Sequence, residues 1–565
     1  MTDQPISGAE PEYLGSDTPP AAHPVRRPTR TRWIAGAAVL GLVGAAAGGW
    51  AAAQLLGGGD GPASAVPSIA VAYVALDLDP TAAQKVEALR IAKKFPALAE
   101  ELDLGVRDDL RRWLFEERVA DVGCGLDYDT DVAPWIGDRL AMAAVPDGDG
   151  AASPLAVLAV EDREAAEQSV RDIEECVRAA DESVGGAGGG TDAPGDEPVG
   201  VAFVGDYLLA AETQTDADSL ATAAEAAPLA EDAAFADWMA EVGEPGVLTA
   251  YVAKDAPRVL TAAMGQLPDD LAGDLAGAPV GGLDGFAGSA PRVEELTERS
   301  LRMWKDFGGM AAVVRFADGA LEVEAVGRGL PGGAGEPTGP SLGDLPASTA
   351  VAMTHSFEDG WFEDFADSLV GLLSAGESEE DFWAGLEAGS GLELPEDVER
   401  LFGAGVSLSV DASLDPEQVT PDPGALPAVP AALRIAGDTA EIRGVLDRLL
   451  ALAGPMADQV VVEESDGVVT VGVDRAYVDR VLTEGGLAEQ ESFTAVVPEA
   501  DRATSALFVG FDTDPSTGSG EGGWLARLVG DDAEARANLE PLDALGISSW
   551  RDGDVQHGLV RLTTD

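Results

Sequence analysis

Cysteine is almost missing from this chain, which has only Cys124 and Cys176, and histidine is nearly as scarce, with His23, His355 and His557 far apart. No cluster of thiolates or imidazoles is available for a zinc site, and no CxxC pair for redox work. No GxSxG elbow and no GxxxxGK phosphate loop occurs, so the common nucleophile and nucleotide motifs are absent. Positive charge is also short: 35 Lys and Arg stand against 101 Asp and Glu, a net charge of −66. Such a field repels nucleic acid and anionic lipid, and no nucleic acid is expected as a partner. Acidity of this size also serves solubility. The two cysteines leave two readings open. A bridge would close a loop of about 50 residues and stabilise by roughly 4 kcal/mol in the chain-entropy picture. Alternatively Cys176, on the stripe Val170, Ile173, Val177, is a buried thiol.

Against these absences one stretch stands out. Trp33 to Gly59 holds no charged residue over 27 positions, in a chain of which 24% is charged. Arg26, Arg27, Arg30 and Arg32 precede it and Asp60 follows. A hydrocarbon core of about 30 Å needs roughly 20 apolar helical residues, so 33–56 is expected to span a membrane. The arginine flank places the N-terminus in the cytoplasm and the rest outside. Ala63-Ser64-Ala65 resembles a cleavage site, but the apolar run is longer than a secretory core and starts late, which favours an uncleaved signal-anchor. No cysteine lies nearby to carry a lipid. Gly44 and Gly48 form a GxxxG step, easily met by chance in so Gly/Ala-rich a run.

Residues 1–32, with six prolines and no periodicity, are expected to be a disordered cytoplasmic tail, and 57–67 a tether. Beyond them lie roughly 500 residues, enough for two or more domains. Strand-like "SIAVAYVALD" from Ser68 leads to a helix capped at Asp79-Pro80, then to strands, a helix from Arg163 and hairpins at Gly205-Asp206 and Asp318-Gly319. In the last hairpin Leu321, Val323 and Ala325 alternate with Glu322 and Glu324, the period-two signature of a half-wet sheet. After a Gly/Pro-rich stretch, 331–345, the order repeats. "STAVAMTHSF" from Ser348 echoes the opening strand, and "DVERLFGAGVSLSV" echoes "DVAPWIGDRLAMAA", with Gly403 matching Gly137. "PAALRIAGDTAEIRGVL" echoes "PLAVLAVEDREAAEQSV", and turns at Asp466-Gly467 and Asp552-Gly553 echo the earlier two. Five elements in one order predict two tandem copies, 68–330 and 346–565. Strands that mostly neighbour in hairpins, with helices between, predict an α+β module with mainly antiparallel sheets, behind a single N-terminal transmembrane helix.

The opening "AYVALDLDP", the lysine-bearing helix "QKVEALRIAKKFP" and the loop "DVAPWIGD" resemble the actinobacterial proteins catalogued as domain of unknown function 3352. The resemblance extends over nearly the whole outside portion. It implies a membrane-anchored, extracytoplasmic protein and carries no activity and no functional residue. The second copy departs from it, with Leu401 where Trp135 stands.

Three groups invite a chemical reading. Asp127, Asp129 and Asp131, with Asp138 at position 12, mimic the spacing of a calcium loop. Val132 replaces the required glycine and Pro134 interrupts the loop, so a structural turn fits better. Asp77 and Asp79 at a strand end suit acid–base work, but capping by Asp79 is the simpler role, and the second copy offers only Glu358 and Asp359. Trp361, Phe362, Phe365 and Leu369 recur at helical spacing and read as core, and His355 and His557 as isolated strand residues. The expectation is therefore a non-enzymatic, cofactor-free protein of the cell membrane, binding or scaffolding an envelope protein or polymer. No catalytic, cofactor or metal residue is assigned. The competing expectation is an envelope hydrolase with a carboxylate site between the two copies.

Overall fold

A computed structural model describes residues 61–77, 82–96, 112, 127–147, 152–184, 199–259, 304–330, 336–358, 360–362, 379–394, 396–414, 429–511 and 533–565. The tail, the apolar span 33–56, Asp79, Cys124, Phe365 and Leu369 lie outside them, as does the side chain of Cys176. Among the described residues no helix is long and apolar enough to cross a membrane.

Among the described residues sixteen strands form one mixed-class α+β framework, a single antiparallel sheet. The first eight are β1 (Ala72–Asp77), β2 (Ile136–Pro146), β3 (Ala152–Val160), β4 (Gly200–Val204), β5 (Tyr207–Ala211), β6 (Leu248–Val252), β7 (Gly309–Ala317) and β8 (Ala320–Arg328). The second eight are β9 (Thr349–Ser356), β10 (Gly405–Asp411), β11 (Ala431–Ala436), β12 (Val461–Ser465), β13 (Val468–Gly472), β14 (Ser505–Gly510), β15 (Leu542–Asp552) and β16 (Val555–Thr564). Read outward from the centre, the halves run β8-β7-β6-β1-β2-β3-β5-β4 and β16-β15-β14-β9-β10-β11-β13-β12, the same order twice. They join where β8 pairs antiparallel with β16, Glu324 opposite Leu559, each the fifth residue of its strand. A local two-fold axis therefore passes through the seam, and the sheet is continuous rather than split between modules.

Turn chemistry fixes the hairpins. Asp318 (φ 51°) with Gly319 (φ 79°), and Asp466 (φ 46°) with Gly467 (φ 80°), take the left-handed pair of a type I′ turn. The closing turn is Gly553-Asp554, one residue later than the sequence suggests, because Gly553 supplies the positive φ of 62°.

Helices cover both faces. On the first face lie α3 (Gln214–Ala226), a 3-10 turn at Leu229–Glu231 and α4 (Ala233–Val242), packed on Ala143, Leu155, Val157 and Leu209. In the second half α8 (Arg475–Thr483), the turn Leu487–Glu489 and α9 (Glu491–Val496) do the same. Leu229 and Leu487 are both fully buried, and Leu229 N donates to Val66 O at 2.7 Å as Leu487 N does to Leu345 O at 3.0 Å. Residues 62–67 and 336–345, read from sequence as tether and linker, are therefore built into the core: Ala65, Val66 and Leu345 have no exposed surface. Their small apolar side chains fit beneath the 3-10 turns. On the second face α1 (Ala82–Ala92) and α2 (Arg163–Val184) cover the first half, and α6 (Glu396–Phe402) and α7 (Thr439–Ala453) the second. An additional helix, α5 (Glu379–Ser390), packs Trp383 against Phe362, and α10 (Ala533–Leu539) precedes β15.

Candidate functional site

The loop before β2 illustrates how the sequence builds its sites. Asp127 caps the turn Tyr128–Val132 by accepting from Thr130 N at 3.1 Å, and Asp131 accepts from Asp127 N at 2.8 Å. Asp129 turns outward to Arg112. Trp135 Nε1 donates to Asp131 O at 2.8 Å, which seats the buried indole on Tyr128, Val132 and Leu208. The three carboxylates are thus engaged with their own loop and one arginine and do not converge. Leu401, the counterpart of Trp135, packs on Ile435 and Val469, the matching layer.

Just beyond, Gly137 lies so close to β3 that a Cβ there would sit 2.8 Å from that of Ala159. The β2–β3 register jumps from Ile136↔Val160 to Leu140↔Leu158, inserting two residues as a bulge. That bulge aims Asp138 and Arg139 at the strand ends, where the β4–β5 turn brings Asp206 and Val160 N donates to Asp206 O at 2.8 Å. The result is a cleft of about 550 Å³ lined by Ser64, Asp138, Arg139, Glu161, Asp206 and Tyr207. Its single cation, Arg139, already reaches Asp77 at 3.4 Å. Three further carboxylates and two hydroxyl-bearing side chains give the cleft a net negative, hydrogen-bonding lining. Beneath it burial pushes the Tyr73 hydroxyl far above its ordinary range, with neighbouring Tyr207 adding to the shift.

The second half is built differently at the corresponding depth. Where β1, β2, β3 and β5 present Ala75, Ala141, Val157 and Leu209 in one row, β9, β10, β11 and β13 present Thr354, Ser407, Arg434 and Thr470. Ser407, Ser409, Thr349 and Tyr477 are almost wholly buried. Burial raises the Tyr477 hydroxyl, partly offset by Ser409 and Thr349 beside it. Burial lowers Arg434, whose Nη1 donates to Ser341 O at 3.1 Å. Asp411, 2% exposed, accepts from Ser348 Oγ and Ser413 Oγ at 2.5 Å each and pairs with Arg480 at 3.0 Å. Burial alone would raise its carboxyl, but these partners hold it below the usual range.

The remaining sequence candidates are dispersed. Asp77 belongs to the cleft margin through Arg139, and Glu358 pairs with Arg551 at 3.3 Å. His355 is lowered by burial beside Phe357, whereas His557 stacks on Trp550 at 5.1 Å in the seam. Among the described residues no group of three or more His, Cys, Asp or Glu could hold a metal ion. Burial, Asp216 and Asp147 raise Glu212, at the opposite end of β5 from the cleft.

Residues 33–276 match the family described as protein of unknown function (DUF3352). The match begins at the apolar run and ends before β7, so it takes in the cleft but not the second half. No curated protein and no solved structure matches the chain.

Proposed function

We propose that this is a single-pass membrane protein whose acidic ectodomain binds a basic partner at the cell envelope, through the cleft beside the β2–β3 bulge. The observation that carries the reading is the lining: Asp138, Glu161 and Asp206 surround one arginine that Asp77 already occupies. A ligand with an ammonium or guanidinium group suits this net negative lining, and the Tyr207 and Ser64 side chains add hydroxyls to it. The net charge of −66 steers such a partner toward the surface without giving specificity. The uncharged run 33–56 and its arginine flank support the anchor and the outward orientation.

Calorimetry on the full chain in detergent, with spermidine and with a Lys/Arg-rich peptide, tests the cleft. At physiological salt, where screening acts over about 8 Å, a saturable one-site heat is expected to survive. The double variant Asp138→Asn/Glu161→Gln should weaken it at least tenfold. Heats that vanish in salt, or that are unchanged in the double variant, would reduce the cleft to surface acidity.

A further inference from the structure

The two outer edges of the sheet are treated differently, and the difference points to a second binding surface. At one edge β12 carries Glu463 and Glu464, which face opposite sides of the sheet. Arg475 of α8 holds Glu463 at 3.0 Å and Arg443 of α7 holds Glu464 at 3.7 Å. Charged side chains clamped from both flanking helices protect an edge from further pairing. At the other edge the equivalent positions in β4 are Ala202 and Phe203, and the strand Gly-Val-Ala-Phe-Val has no charge.

The two-residue β4–β5 turn closes on the pair Val204↔Tyr207, so alternation turns the N–H and C=O of Val201 and Phe203 outward. At Val201 the side-chain amide of Gln214 does what a neighbouring strand would do. Its Oε1 accepts from Val201 N at 3.1 Å and its Nε2 donates to Val201 O at 2.9 Å. Phe203 has no such substitute among the described residues. Alongside runs a groove of about 620 Å³, walled by Arg163, Val170 and Arg171 of α2 and by Asp218 and Glu225 of α3. Glu167 already pairs with Arg163 at 3.3 Å and Arg171 at 3.8 Å, whereas neither Asp218 nor Glu225 has a cationic partner among the described residues.

We infer that this groove takes an extended peptide as an added strand on β4, with apolar side chains toward Val170 and Phe203 and alternate basic ones toward Asp218 and Glu225. Main-chain hydrogen bonds to Phe203 give the affinity and the two walls select the alternation. This surface is separate from the cleft and does not depend on it.

Fluorescence anisotropy on the full chain, with labelled peptides alternating lysine with Val, Leu, Thr or Phe, tests it. The same peptides N-methylated on alternate amides keep their charge and lose the strand edge. Saturable binding at physiological salt is expected for at least one unmodified peptide, with at least a tenfold loss on N-methylation. Phe203→Pro deletes the outward N–H and should abolish binding, while Phe203→Ala keeps that N–H and retains it. Should Phe203→Pro fail to fold, amide exchange in the wild type replaces it, and the peptide should slow exchange at Phe203 at least tenfold. Equal binding of N-methylated peptide, unchanged exchange at Phe203, or no binding by any alternating peptide overturns the inference. Loss of binding in Asp138→Asn/Glu161→Gln also overturns it, by placing the peptide in the cleft instead.

Discussion

Asp411 sits on the β-bulge at the end of β10, where the register to β9 shifts, and keeps a charge almost without solvent. Ser348, Ser413 and Arg480 make that tenable by supplying hydrogen bonds and a counter-charge. Asp411→Ala strands Arg480 and two hydroxyls, and about 3–5 kcal/mol of stability should disappear in chemical denaturation. The pH dependence has a definite sign. The folded carboxyl lies below its unfolded value of about 3.9, so its stabilisation is fully present above that pH and is lost as acid carries the protein through the folded value. The stability gap between wild type and Asp411→Ala should therefore narrow as pH falls below the unfolded value of about 3.9. Glu212 runs the other way. Its raised carboxyl costs stability as pH rises, so Glu212→Gln should gain over wild type at pH 7 and match it below about pH 4 in parallel melts.

Among the elements, the seam strands are tied together by buried charge. Glu322, 7% exposed, receives Arg315 from β7 at 2.6 Å and Arg561 from β16 at 3.2 Å, so one carboxylate ties three strands and both halves. Arg328 reaches Asp554 at 2.9 Å and Lys94 donates to Thr564 O at 3.1 Å across the same boundary. Removing the shared carboxylate in Glu322→Ala takes this counter-charge from Arg561 and leaves Arg315 with Glu324 alone. A loss of about 3–5 kcal/mol is expected, and calorimetry should show the halves melting less cooperatively. How far such features are legible in sequence varies by element. The Asp-Gly turns and the strand–helix order are local, and turn chemistry reveals them directly. In β8 the alternation misleads, because the glutamates Glu322 and Glu324 point to the side covered by α4 and meet Arg315. In β10 it inverts outright: Ser407 and Ser409 face the core while Leu408 is 40% exposed, in a row with Met353 and Ile547. The cleft was hidden for another reason. It assembles residues near 64, 138, 161 and 206, and only the bulge at Gly137 brings them together.

At the scale of the whole molecule, the proposed anchor makes the simplest prediction. The full-length protein should remain in the pellet after carbonate washing, and its mature N-terminus should precede residue 33. Release into the supernatant, or a chain starting near Val66, would remove the membrane from the proposal. The two halves keep one strand order yet diverge in chemistry, apolar beneath α3 and polar beneath α8, with cleft and open edge both in the first half. The pairing of β8 with β16 about a local two-fold makes the molecule a pair as well as a chain. Two equivalent strands that meet antiparallel at the same position of each have the geometry of a two-fold homodimer interface within one polypeptide. Either half expressed alone would bare that strand to a second copy of itself.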